Sequence, residues 1–146
     1  MTSAASYQRI AYALLRVVAP FVMIQHGAQK LFGAFGGVGP NGGTVPLASL
    51  MGVAGVLEVF VAALVLLGLF TRPAAFLLAG EMATAFFMAH FPRGFWTIQN
   101  HGETPVLLCF IYLLFAAFGG GRYSLDALLF SGRRTSTAAE ESMTAA

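Results

Sequence analysis

Three charged residues, Arg16, Glu58 and Glu81, stand inside long apolar stretches of this 146-residue chain. A charged side chain at the centre of a bilayer costs about 2.5–3.5 kcal/mol on insertion scales, so such groups face one another or a polar cavity. Two carboxylates and one guanidinium sum to −1. The set therefore needs a proton on one carboxylate, a further donor or a bound cation. Chemically, this is a proton relay or a seat for a polar head group; structurally, the same residues serve as a buried ion pair or triad that fixes helix register. Helical phase supports an inward Glu58, because Gly55 and Ala62 share its face at three- and four-residue spacing and permit close backbone approach. Thr84 and Ala85 lie on the side of Glu81. Both glutamates fall near mid-span and Arg16 nearer one end, so the three are read together as the candidate catalytic cluster.

A second polar group is expected at the outer boundary. His26, Gln29 and Lys30 follow an i, i+3, i+4 pattern on one face of a helix end. Asn100, His101 and Glu103 precede the last apolar stretch at the same level, and these six residues form the candidate substrate-binding set. Lys30 and Arg93 near a helix N-terminus would favour an anion, and the alternative is that Lys30 pairs with Glu103 to latch two loops. His90 is nine residues from Glu81, half a turn out of phase, and is not linked to it. No metal site is read, since His26, His90 and His101 come from three separate segments without the spacing of a helical ligand set. The six glycines between Gly33 and Gly43 lack the Gly-Lys-Ser/Thr ending of a phosphate loop and are read as an outer lid.

These groups need spans to hold them. The chain is 58% hydrophobic and 10% charged, against about a quarter charged in a soluble domain, so it cannot dress a water-facing surface. About 20 apolar helical residues cross a bilayer, and four segments qualify: 10–31, 47–70, 74–91 and 105–121. The expected fold is an all-α integral membrane bundle of four up-down helices within residues 1–130. Pro20 is expected to kink the first helix, and Thr104-Pro105 to open the fourth as cap and first helical residue. Arg16 inside the first span argues against a cleaved signal peptide. Arg9, Arg72, Arg122, Arg133 and Arg134 then share one side against Lys30 and Arg93 on the other, which places both termini in the cytoplasm under the positive-inside rule. The eight basic residues form no stripe, so nucleic acid is not a partner; the bilayer is. Ser124 should cap a short interfacial helix with Asp126 in its first turn, Arg133 and Arg134 lying at phosphate level, and residues 131–146 read as a disordered tail. Cys109 stands alone, which excludes an intramolecular disulfide.

Four stretches in order resemble the DoxX family of small four-helix membrane proteins. They are His26-Gly27-Ala28-Gln29-Lys30-Leu31-Phe32-Gly33; Glu58 followed by Leu67-Gly68-Leu69-Phe70-Thr71-Arg72; Asn100-His101-Gly102-Glu103; and Gly119-Gly120-Gly121-Arg122-Tyr123-Ser124-Leu125-Asp126. Two departures are visible: His101 stands where the family usually has glycine, and Gly120 where proline is common. The resemblance implies the four-helix bundle and a broad link to redox systems, since related proteins include the membrane subunit of thiosulfate:quinone oxidoreductase. A quinone is then the cofactor to consider. The chain would be at most a subunit of a membrane oxidoreductase, its carboxylates moving protons or holding a head group, with other membrane or redox subunits as partners. It carries no haem motif, cysteine cluster or dinucleotide fingerprint, so electrons must come from a partner. The alternative is a non-catalytic accessory subunit that stabilises a larger membrane complex. A small-molecule carrier is the weaker third reading, since no inverted repeat is visible.

Overall fold

The computed structural model describes residues 2–39 and 41–130, and within them the chain is helical apart from turns and one isolated bridge between Val38 and Gly43. Three helices are long and apolar enough to cross a membrane: the first, Thr2–Phe32; the second, Leu50–Leu67; and the third, Thr71–Arg93. A fourth apolar helix, Glu103–Phe118, is shorter. The expected tail, 131–146, with Arg133 and Arg134, lies outside the described residues.

Local chemistry sets each boundary, and several differ from expectation. The first helix starts at Thr2 rather than near residue 10, because its polar lead continues the same helical backbone, and Pro20 lies inside it. The second starts at Leu50, where the Ser49 hydroxyl accepts the Gly52 amide at 3.0 Å. It ends on Gly68 in the left-handed conformation, with Gly68 N bonded to Val65 O and Leu69 N to Leu64 O. That paired pattern is the Schellman stop, and it halts the helix three residues before the expected boundary. The third helix starts at Thr71, since Pro73 in a first turn forfeits no intrahelical bond. The fourth starts one residue before Thr104: Gly102, rather than Thr104, is its cap, and Pro105 sits harmlessly in its first turn.

The first helix packs along the second and the third along the fourth. Gly27 and Gly55 bring the first pair to backbone contact: a Cβ on Gly27 would lie 2.8 Å from Gly55 O and 2.9 Å from Glu58 Cβ. Ala74, Ala75 and Ala79 line the buried side of the third helix, where Leu78, Tyr112 and Phe115 fill the core. Outward, large apolar side chains such as Leu14, Val18, Phe21, Phe60, Phe76 and Phe110 are exposed. A belt of that extent is solvated by lipid, not by water.

At one end, three segments lock together. Ser124 caps the helix at residues 125–130, its hydroxyl accepting the Ala127 amide at 3.1 Å, as its sequence position suggests. Asp126 stands in the first turn of that helix, as expected, and also serves a second one. Its carboxylate accepts the Phe70 amide at 2.7 Å, the Thr71 amide at 2.9 Å and the Thr71 hydroxyl at 2.7 Å, so it caps the third helix across 55 residues of sequence. Among the glycines at 33–43, Val38 N bonds to Gly43 O and Gly37 N to Ala34 O, which makes this loop a folded turn.

Candidate functional site

The buried charges group differently from the triad that their spacing suggests. Glu58, 3% exposed, lies in a π-helical turn, Leu57–Val61, that breaks the regular second helix; such turns often occur at functional positions. Its partner is Lys30, whose ammonium is 2.5 Å from Glu58 Oε1. Lys30 belongs to the last turn of the first helix. Its four-carbon stem folds inward because the Gly27–Gly55 contact sets the two backbones close. Gly27 precedes Lys30 by three residues and Gly55 precedes Glu58 by three, so each glycine lies one turn from its charged neighbour on the same face.

Glu81, on the third helix, has both carboxylate oxygens buried without a hydrogen-bond partner, as is the second oxygen of Glu58. The Tyr112 hydroxyl from the fourth helix is also buried and unpartnered, on a side chain that is 0% exposed. The charges of Glu58 and Lys30 reach Glu81, and those of both glutamates reach Tyr112, so the four residues form one electrostatic cluster drawn from all four helices. Tyr112 is the member that sequence reasoning misses; an aromatic in an apolar helix carries no signal that separates it from core. Thr84, expected beside Glu81, is exposed and bonds back to Gly80 O at 2.9 Å.

Arg16 does not belong to this cluster. Its guanidinium donates to Val65 O at 2.9 Å, Leu66 O at 2.6 Å and Tyr123 O at 2.5 Å. It thus satisfies the Leu66 carbonyl at the end of the second helix, adds a second donor to Val65 O beside the Gly68 amide, and ties both to the loop after the fourth. Tyr12, one turn earlier, donates to Gly119 O at 2.6 Å and completes that clamp. The expected meeting of Arg16 with Glu58 and Glu81 fails because backbone acceptors, which sequence spacing does not reveal, lie nearer.

The residues of the second polar set divide. His26 and Gln29 line a groove of about 190 Å³ with Val22, Gln25 and Phe35, and the charge of His26 reaches Glu58. Lys30 is drawn to Glu58, so the alternative pairing with Glu103 is not formed. Asn100 is fully buried and occupied: its amide donates to Gly94 O at 2.6 Å, its side-chain oxygen accepts the Gly102 amide at 2.7 Å, and its carbonyl lies 3.0 Å from His90 Nδ1. It pins the loop. His101 and Glu103 are exposed at the start of the fourth helix, and His101 holds a left-handed backbone at φ 57.

Comparison with known proteins identifies the family. A model of the DoxX family matches residues 11–91, which carry Arg16, Lys30, Glu58 and Glu81. A protein of Haemophilus influenzae (strain ATCC 51907 / DSM 11121 / KW20 / Rd), described as uncharacterized, is 37% identical over 137 residues, covering 89% of this chain and 98% of its own length. No solved structure gives a significant match.

Proposed function

The chain belongs to the DoxX family of membrane proteins, and from that premise we propose that it is the membrane subunit of a quinone-linked redox system whose buried carboxylates hold and pass protons. On this reading it is a four-helix up-down bundle of the inner membrane with both termini cytoplasmic, as the arginine distribution favours. One observation carries the proposal. Of two buried carboxylates only Glu58 pairs with the Lys30 ammonium, and Glu58 Oε2, both oxygens of Glu81 and the Tyr112 hydroxyl are without partners. Lys30, Glu58 and Glu81 sum to −1 when ionised, and one proton brings them to neutrality. A protonated carboxyl also supplies the donor that three orphaned acceptor oxygens lack. A pair that only fixed register would need neither the second carboxylate nor the buried phenol.

The groove beside the cluster fits a quinone head group by its chemistry. The His26 ring and the Gln29 amide provide donors for carbonyl oxygens, while Val22 and Phe35 provide an apolar floor. When bound, a quinone supplies an acceptor for two electrons and two protons. His26 lines the groove, and its electrostatic influence extends to Glu58. The π-helical turn at Glu58 leaves its ladder irregular and lets the carboxylate shift between Lys30 and Glu81. Electrons enter from a partner subunit.

The test uses the complex from its native membrane. Glu58→Gln and Glu81→Gln are expected to preserve assembly and to lower proton-coupled turnover by about a hundredfold, the lower range for a lost acid–base group. A short-chain quinone analogue should raise the melting temperature of the wild type, and should not do so for the double variant His26→Ala/Gln29→Ala. Intact turnover in both glutamate variants, with deletion of the chain abolishing assembly, would assign it the accessory role instead.

A further inference from the structure

At the end of the bundle where Arg16 lies, the start of the third helix, the last residue of the fourth with residues 119–122 after it, and the helix at 125–130 line a cavity of about 790 Å³. It shares no residue with the Lys30–Glu58 cluster. Its wall is largely apolar, with Phe70, Phe118, Leu128 and Phe130 all exposed, and two guanidinium groups stand on it, Arg72 and Arg122. The one carboxylate in its lining, Asp126, already accepts three hydrogen bonds from Phe70 and Thr71. Arg16, the cation next to it, is turned onto carbonyls. Among the described residues neither Arg72 nor Arg122 has an ion-pair partner, since the ion pair formed there is Lys30–Glu58. Gly119 seats the Arg72 side chain: a Cβ at that position would lie 3.2 Å from Arg72 Nε. Two unpaired guanidiniums over exposed aromatics match a ligand with an anionic head and an apolar body, and guanidinium geometry suits phosphate oxygens.

We propose that this cavity binds an anionic phospholipid, its phosphate between Arg72 and Arg122 and an acyl chain along Phe70, Phe118 and Phe130. A soluble phosphate would use the arginines and leave the aromatic wall bare. The lipid uses both, and the wall continues onto the outward faces of the third and fourth helices, where Leu77 and Leu114 are also exposed. The site is independent of the proton-handling role.

The test is native mass spectrometry of the full chain released from nanodiscs of equimolar phosphatidylglycerol and phosphatidylcholine. Each arginine near an anionic surface contributes about fivefold, so the wild type should retain phosphatidylglycerol with a preference of about thirtyfold. Arg72→Gln/Arg122→Gln should abolish that preference, and Arg72→Lys/Arg122→Lys should keep most of it, with circular dichroism verifying that both fold. An unchanged preference in the Gln pair overturns the assignment. Displacement of the lipid by inorganic phosphate at low millimolar concentration would make this a free-anion site and also overturns it. A preference that emerges only when Glu140 and Glu141 are changed to Gln would put the chain's own carboxylates in the cavity, with the same consequence.

Discussion

Changing Lys30 to Gln removes an ammonium 2.5 Å from Glu58 Oε1 and leaves a carboxylate whose side chain is 4% exposed, while the lysine it replaces is 15% exposed. At that distance and an effective dielectric of about 20, the gross attraction is about 7 kcal/mol, opposed by desolvation of several kcal/mol per ion. The pair as a whole therefore contributes little net stability, whereas losing one member costs about 3–5 kcal/mol in buried sites of soluble proteins. The two single variants should not be equal. Lys30→Gln strands the deeper group and should cost about 3 kcal/mol. Glu58→Gln leaves an ammonium at a helix end, which can extend to the membrane boundary, and should cost about 1 kcal/mol. Replacing both with Gln should return stability to within about 1 kcal/mol of wild type, giving a coupling of about 3–5 kcal/mol. Unfolding by SDS titration in mixed micelles, followed by circular dichroism, measures all four corners of the cycle. Additive single effects, or a double variant as unstable as Lys30→Gln, would refute a buried pair as the link between the first two helices.

Arg16→Lys should destabilise the bundle by about 1–3 kcal/mol in the same titration, because an ammonium cannot reproduce the fork that serves three carbonyls; turnover of the assembled complex should stay unchanged, since Arg16 lies outside the proton cluster. Asp126→Ala should lower stability by about 2 kcal/mol through loss of the third-helix cap, and hydrogen exchange should rise first at Phe70 and Thr71. Gly27→Ala places a methyl group 2.7 Å from Val59 Cγ2 and 2.8 Å from Gly55 O, and is expected to cost about 1–3 kcal/mol while weakening the Lys30–Glu58 coupling in the cycle above. His101→Gly should raise stability by about 0.5–1 kcal/mol, because the left-handed backbone at φ 57 strains a side-chain-bearing residue.

Much of the fold was legible because its causes are local. Apolar runs, interrupted by proline, glycine and capping residues, mark the helices, and an inward Glu58 follows from Gly55 and Ala62 on its face. The departures in boundary have local causes too, such as the Gly68 stop, whose second hydrogen bond falls on Leu69. The candidate site was half legible. Glu58 and Glu81 do share a cluster, and His26 and Gln29 do share a groove. Lys30 was assigned to the wrong level because helix position alone ignores the reach of its stem. The matched spacing of Gly27 to Lys30 and Gly55 to Glu58 was the signal that would have placed it.

By itself, the sequence determines that this chain is built of apolar helices, that glutamates buried among them demand compensation and that its motifs are those of the DoxX family. Only the tertiary structure decides what compensates them. Side-chain charge is written in the sequence, but the carbonyls that hold Arg16, the backbone contact that admits Lys30 and the distant helix start that Asp126 caps are not. Those acceptors and donors belong to the backbone, identical at every residue, and become specific partners only when packing sets one helix end beside another.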